Sequence, residues 1–463
     1  MLKSNENKKY QMDMCSGPVL RKMLAFALPL MCSSILQLLF NAADIVVVGR
    51  FAGDNSLAAV GSNTALINLL TNLFVGLSIG ANVTSALCYG AKKWDDLKKT
   101  VHTAMLLSLC SGILLTIIGI AGAKQILIWM QTPAEILELA TVYLRIYFLG
   151  MSSLMIYNFG SAILRSIGDT RRPLYYLLAA GVINVVLNLF FVIVFNMDVA
   201  GVALATVISE TVSAALVVRC MMKESDESGI RLELKSLRID PDKLKKIFRI
   251  GLPAGFQGII FSISNVVIQS SINSFGKIVV AGNSAAANVE GFVYMSMNAF
   301  HQSTLSFTSQ NLGAGKIKRI NKILFSGLIC VTVTGLLLGN AAVFFGDTLL
   351  GIYSDSTEVI EAGMQRLLII CTTYALCGIM DVIVGSLRGI GCSIMPMIVS
   401  LIGVCGLRLA WLFTFFRQEQ FHSPEMIYIT YPVSWIITIA VHVVCYIIVK
   451  RRLDRRYADI RET

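Results

Sequence analysis

The stretch LPLMCSSILQLLFNAADIVVVG, residues 28–49, decides the class of this protein. A bilayer-spanning helix needs about 20 mostly apolar residues. This run supplies them with one charged residue, Asp44. Gln37, Asn41 and Asp44 stand at i, i+4 and i+7, so they form one polar stripe on an otherwise apolar helix. Pro29 removes a backbone hydrogen bond and bends the span, which makes it a candidate hinge. A carboxylate in such a run costs about 2.5–3.5 kcal/mol to insert. Asp44 is therefore either glue satisfied by neighbouring amides or a working site, and a lone carboxylate is expensive glue. The second reading is preferred.

The rest of the chain has the same character. Of 463 residues, 55% are apolar and 14% charged, and the mean hydropathy is +0.70. A soluble domain carries roughly 25% charged residues. So few charges cannot cover a soluble protein of this size, which excludes a cytosolic enzyme, a disordered chain and a disulfide scaffold. Apolar runs recur twelve times, at 20–49, 56–88, 98–121, 134–162, 172–196, 199–221, 247–275, 283–311, 320–346, 358–386, 394–417 and 424–450. The fold class is thus an all-α polytopic membrane protein with twelve transmembrane helices.

Of the 39 Lys and Arg, 32 fall on the side of the membrane that holds both termini, including Lys3, Lys8 and Lys9. Arg50, Lys124, Lys277 and Arg417 fall on the other, and Arg145, Arg366 and Arg408 lie within spans. Positive charge stays inside, so the sequence predicts a multi-pass protein of the cell (plasma) membrane with cytoplasmic termini. Basic residues spread between apolar runs make no nucleic-acid face, so no nucleic-acid partner is expected. The eleven Cys are scattered without a CxxC and read as small core residues, and four His make a structural zinc site unexpected. The polar N-terminus lacks the pattern of a cleaved signal.

The stretch 222–246 is the only long polar segment and reads as a cytoplasmic linker between residues 1–221 and 247–463. The two sides repeat. Pro29 matches Pro253 and Asn41 matches Asn265 at a spacing of 224, and LRSIGDTRRP (164–173) matches LRGIGCSIMP (387–396) at 223. The chain is therefore two six-helix lobes of equal orientation, an arrangement suited to a carrier with a central site.

Asn184 and Asn188 are i, i+4 on the fifth span, and Thr206 is on the sixth. Beside Asp44 such oxygens suit Na⁺, or cage a proton site; alone, the Asn pair would be interhelical glue. Each lobe has an acid the other lacks: Asp44 corresponds to Ile268, and Asp381 to Asn158. Asp381 and Glu290 are candidates for a second cation site or for contacts with a cationic substrate, or they pair with Arg366 or Arg408. Glu210 is a further candidate of the same kind. Tyr294, Met295, Met297 and Phe300 are adaptable side chains that could line a drug cavity.

Two motif matches carry no chemistry. GLSIG (76–80) fits G-x-S-x-G, but it lies inside a span, where small residues allow close helix packing. GAGK (313–316) lacks the earlier Gly and the following Ser or Thr of a phosphate loop and reads as a helix end.

The motifs LPLMCSSILQLLFNAADIVVVGRFAGDNSLAAVG, LRSIGDTRRP, GVINVVLNLFFV, AGVALATVIS, QNLGAGKIKR and SLRGIGCSIMP together resemble the bacterial MATE (multidrug and toxic compound extrusion) transporters over about residues 18–452. The resemblance implies the MATE fold and a secondary active multidrug exporter, not an enzyme. It would antiport cationic or amphipathic drugs against H⁺ or Na⁺, without a cofactor, as a monomer in the bilayer. It maps a cation-coupling site onto Asp44, Asn184, Asn188 and Thr206, with Gln37 and Asn41 on the same stripe, and a transient Na⁺ at Asp44 as the only metal. The chain departs at Asn188, where many relatives carry Asp, and at the seventh span, which has Gln257 and no acid; Asp381 matches. With one carboxylate, H⁺ is favoured over Na⁺. The rivals are a lipid-linked glycan flippase of the same wider superfamily, for which three scattered Arg are thin support, and an intramembrane hydrolase on Ser78.

Overall fold

The computed structural model describes residues 10–225 and 228–462, and among them all regular structure is helical. Lys3, Lys8 and Lys9 lie outside the described residues. The helices are α1 (Val19–Phe51), α2 (Asp54–Gly90), α3 (Trp94–Trp129), α4 (Ala134–Leu149), α5 (Met151–Ser166), α6 (Arg171–Leu189) and α7 (Asp198–Met222). They continue with α8 (Pro241–Asn273), α9 (Lys277–Gly313), α10 (Ile317–Phe344), the short α11 (Gly346–Gly351), α12 (Thr357–Thr373), α13 (Ala375–Gly389), α14 (Ile394–Ser400), α15 (Leu407–Phe413) and α16 (Pro424–Glu462).

Nine helical stretches among the described residues are long and apolar enough to span a membrane. Two further spans are bent pairs: α4 with α5 at 46°, and α12 with α13 at 45°. The twelfth is α9, 37 residues long but too polar to qualify by composition. Ser303, Thr304, Ser306, Thr308, Ser309, Gln310 and Asn311 are all buried on it. Several of these side chains bond the helix's own carbonyls, as Ser303 Oγ does to Ala299 O at 2.7 Å and Asn311 Nδ2 to Phe307 O at 2.8 Å. Polar groups satisfied this way are tolerated where water is absent.

The internal repeat is written into the backbone as well. The bent spans break at Gly150 and Tyr374, a spacing of 224. Gly168 and Gly391 adopt φ of +90° and +93° in the turns that precede α6 and α14, a conformation strained for any side chain. Gly168 must also lack a Cβ, because one there would meet the backbone of Met12 at 2.4 Å.

The residues cluster into two compact units. Unit 1 comprises 10–13 with 32–256, and unit 2 comprises 14–31 with 257–462. Both α1 and α8 change unit along their length, two and three residues after Pro29 and Pro253. In unit 1, α2 packs tightly on the first part of α8: a Cβ on Gly76 would meet Gly255 N at 2.3 Å, and one on Gly80 would meet Ile247 O at 2.2 Å. The GLSIG glycines thus serve close packing. Ser78 donates to Val75 O of its own helix at 2.7 Å, as a serine packed inside a helix bundle does.

The polar segment after α7 is no free loop. Ile230 and Leu232 are buried in a core shared with Leu97 and Val101 of α3. Lys98 pairs with Glu233 at 3.2 Å, Lys243 with Asp96 at 2.7 Å, and Asp240 N donates to Thr103 Oγ1 at 2.9 Å. Glu233 is partly exposed, and hydrogen bonds from Ser236 and then Lys98 hold its carboxyl below the usual range. At the neighbouring turn, buried Arg172 pairs with both Asp169 and Glu224.

Candidate functional site

Unit 1 encloses a cavity of about 290 Å³. The polar stripe of α1 faces it: Gln37, Asn41 and Asp44 all line the wall. Gly181 of α6 makes this possible, because a Cβ there would meet the Phe40 ring at 1.8 Å. The absence of a side chain brings the two helices close at the level of the asparagines.

A hydrogen-bond chain links the expected residues. Asn188 Nδ2 donates to Asp44 Oδ1 and, at 3.1 Å, to Asn184 Oδ1. Asn184 Nδ2 donates to Thr206 Oγ1 at 3.3 Å, and Thr206 in turn donates to Val202 O at 3.0 Å. Asn188 is fully buried, and its Oδ1 finds no partner among the described residues. The structure therefore brings Asp44, Asn184, Asn188 and Thr206 together, and sets Gln37 and Asn41 on the same cavity.

Glu210, one helical turn beyond Thr206, lines that cavity too, and its Oε2 has no partner among the described residues. The cavity thus holds two carboxylates, and no base lines it. Asn68, Thr71 and Tyr147 add to its polar lining, beside Tyr157, Ser209 and Ser213. Sequence reading missed these six, since single hydroxyls and amides carry no periodic signal.

Unit 2 encloses a second cavity, of about 280 Å³, which both Asp381 and Glu290 line. Their surroundings differ. Arg366 grips Glu290 bidentately, Nε to Oε1 and Nη2 to Oε2, both at 2.7 Å. Its Nη1 donates to Asn283 Oδ1 at 2.6 Å, and Asn283 donates to Gln269 at 3.0 Å. Glu290 is thereby neutralised; of the open readings, the pair with Arg366 is the one formed. Among the described residues Asp381 forms no ion pair with Arg366 or Arg408; it shares the cavity wall with Tyr294. Arg388 stands beyond, donating to Gln257 at 2.8 Å. Of the four adaptable side chains expected here, Tyr294 lines the cavity, whereas Met297 and Phe300 are buried in helix packing. Tyr374, Trp435 and Arg408, unremarked in the sequence as cavity residues, form another wall.

These two cavities belong to a known architecture. The MatE family profile matches residues 29–190 and 253–414, once in each repeat. The probable multidrug resistance protein YoeA of Bacillus subtilis is 25% identical over 430 residues, 91% of this chain and 92% of that protein. YpnP, a second probable multidrug resistance protein of the same organism, is 28% identical over 402 residues, 86% of this chain and 88% of that one. Among solved structures, the outward-facing conformation of a multidrug resistance MATE family transporter of the MOP superfamily aligns with a TM-score of 0.88 at 20% identity, covering 96% of this chain and 98% of that one. The chain, a membrane transporter and not an enzyme, belongs to the MatE family, the multidrug and toxic compound extrusion transporters.

Proposed function

We propose that this protein is a secondary active exporter of cationic and amphipathic drugs, coupled to an inward cation at Asp44. It works as a monomer in the cell membrane with both termini in the cytoplasm. The single observation that supports the reading most is the unit 1 cavity, where Asp44 is the hub of the Asn188–Asn184–Thr206 chain. Coupling follows from competition. Cation binding at Asp44 favours the state that has released drug outside, and cation release inside lets drug bind again.

The coupling ion we assign is H⁺. Sodium needs several oxygen ligands around its charge, whereas a proton needs one acid. Asn188 turns its N–H groups, not its oxygen, to Asp44, and the same nitrogen serves Asn184 Oδ1. With Asp44 ionised and Asn184 unturned, flipping the amide would set oxygen against oxygen at both contacts, which favours this orientation. The flippase rival needs several guanidinium groups facing one cavity, and Arg408 is the single Arg lining either cavity described above.

The test is drug exchange in sealed proteoliposomes with a pH gradient or a Na⁺ gradient imposed alone. The expected result is exchange driven by the pH gradient. Exchange driven by Na⁺ at equal pH, and untouched by a pH gradient, overturns the ion; exchange by neither, with intact protein, overturns the coupled exporter.

A further inference from the structure

The first turns of two matched helices carry opposite charge. The repeat spacing of 223 sets α3, which starts at Trp94, against α10, which starts at Ile317. Lys93 caps one and Lys316 the other, and neither helix start has a side-chain cap hydrogen bond. The first turn of α3 holds Asp95 and Asp96, acids where the positive end of a helix favours them. Asp96 also pairs with Lys243 at 2.7 Å. At the matching positions α10 holds Lys318 and Arg319. Cations there oppose the helix dipole and add to the charge of the uncapped N–H groups. In unit 1 the chain supplies its own anions; in unit 2 the matched positions supply none.

The start of α10 opens on a cavity of about 610 Å³, roughly twice either cavity described above and within the range of small-molecule sites, about 300–1,000 Å³. Lys316, Lys318, Arg319 and Lys450 line it, with Tyr457 and a single acid, Asp454. Lys450 is buried and already pairs with Asp454, one turn along α16. The other three cations form no ion pair among the described residues. Lys316 Nζ donates to Cys15 O at 2.9 Å, and Arg319 Nη2 to Ser16 O and Gly17 O at 2.8 and 2.7 Å, all neutral acceptors. Arg319 Nε is buried with no partner among the described residues, and the Lys318 ammonium bonds to none of them. The wall thus carries three uncompensated positive charges.

The depth of this cavity follows from the apolar runs. Charge begins at Lys322 on α10 and at Lys450 on α16, and Tyr446 Oη donates to Asn321 Oδ1 at 2.9 Å, which holds the two helices level there. The cavity lies on the polar side of both boundaries, at the level of lipid headgroups. Basic pockets between spanning helices at that level hold anionic headgroups.

We propose that this cavity binds the phosphate of an anionic membrane lipid, on Lys318, Arg319 and the first N–H groups of α10, with Tyr457 toward the rest of the headgroup. The chemistry recognised is a phosphate anion, and the depth of the cavity selects one borne by a lipid over a free one. The inference concerns unit 2 alone and does not rest on the exporter reading. The same basic cluster holds the carbonyls of residues 15–17, so a seated lipid also secures the segment that leads into α1.

The test is equilibrium binding of tritiated phosphatidylglycerol to the delipidated full-length protein in detergent, with unlabelled competitors. Phosphatidylglycerol should compete about tenfold better than phosphatidylcholine, whose own cation offsets its phosphate; tenfold is the scale of one charge-assisted contact. Lys318→Asp/Arg319→Asp, which installs the acids of the matched turn, should all but abolish that preference. Lys318→Asp alone breaks no contact among the described residues and should at least halve it; this variant decides if the double one does not fold. Arg451→Gln/Arg452→Gln removes two exposed charges of α16 that do not line the cavity and should leave the preference nearly unchanged. An equal loss in that variant means diffuse attraction to a basic surface and overturns the site. So does survival of the preference in Lys318→Asp, or its absence from the unsubstituted protein. Displacement of the labelled lipid by millimolar inorganic phosphate or glycerophosphoglycerol makes this a free-anion site and overturns the lipid assignment.

Discussion

The cavities of units 1 and 2 come from one repeated sequence and are nearly equal in volume, yet their charges are arranged oppositely. The unit 1 cavity has Asp44 held by amides, Glu210 left open, and no base on its wall. The unit 2 cavity has one acid cancelled by Arg366, a second acid, Asp381, and a guanidinium, Arg408, on its wall. Most matched cavity positions differ between the halves, as Gln37 against Phe261 and Asp44 against Ile268, while matched glycines and prolines keep a spacing of 223 or 224. What distinguishes the halves is therefore chemistry rather than fold.

The sharpest way to break this contrast is to neutralise one acid on each side. Asp44→Asn should reduce exchange in proteoliposomes to the level of protein-free vesicles, whereas Asp381→Asn should keep exchange and alter only the drug profile. Equal losses would mean that the two cavities do the same work.

Next in size is a stability effect confined to unit 2. Removing one partner of a buried ion pair leaves a bare charge and costs about 3–5 kcal/mol. Arg366→Gln should therefore lower the melting temperature strongly, and Glu290→Gln/Arg366→Met should recover most of it. A single variant that melts with the unsubstituted protein would show that the pair is not dry.

Asn188→Asp sharpens the contrast from the other side by placing a second carboxylate against Asp44. A proton site has no use for it, but a Na⁺ site gains both charge and oxygen. Exchange driven by a Na⁺ gradient should appear in this variant; continued dependence on the pH gradient alone would show that charge count does not choose the ion.

The smallest effect concerns the packed segment after α7, which belongs to unit 1. Ser236 and Lys98 hold the Glu233 carboxyl below its usual range, so folding favours its charged form. That contribution is complete above the unfolded value, about 4.3, and is lost as pH falls through the lower folded value. Melts of detergent-purified protein should show a slight extra loss in acid that Glu233→Gln lacks, small because water screens a partly exposed group. Identical acid profiles would remove Glu233 from the account.

How legible this was in the sequence follows from what each feature leaves in a one-dimensional record. Spans, repeat and the Asp44 stripe are periodic, and periodicity survives in sequence. The Gly181 notch, which seats Phe40 and so brings α1 to the asparagines, is a single residue without a pattern. Glu290 could be read either as a ligand or as half of a pair, because its partner is 76 residues away. Arg408 stood out as a charge inside a span, but only the fold reveals which of its nitrogens are spoken for. The α9 helix is a long polar element in an apolar protein, since its hydroxyls close onto their own backbone.

The change of unit along α1 and α8 has a consequence for how the chain is made. Residues 14–31 emerge first but belong with residues that begin at 257. At roughly 5–20 residues per second, they wait on the order of 10–45 s for their partners. Unit 1 in turn is unfinished until residue 256 is synthesised. Neither 1–240 nor 241–463 contains a whole unit, so the halves of this duplicated chain are not separable: the first-made half stays incomplete until residues 241–256 follow, and the second takes up the waiting residues 14–31.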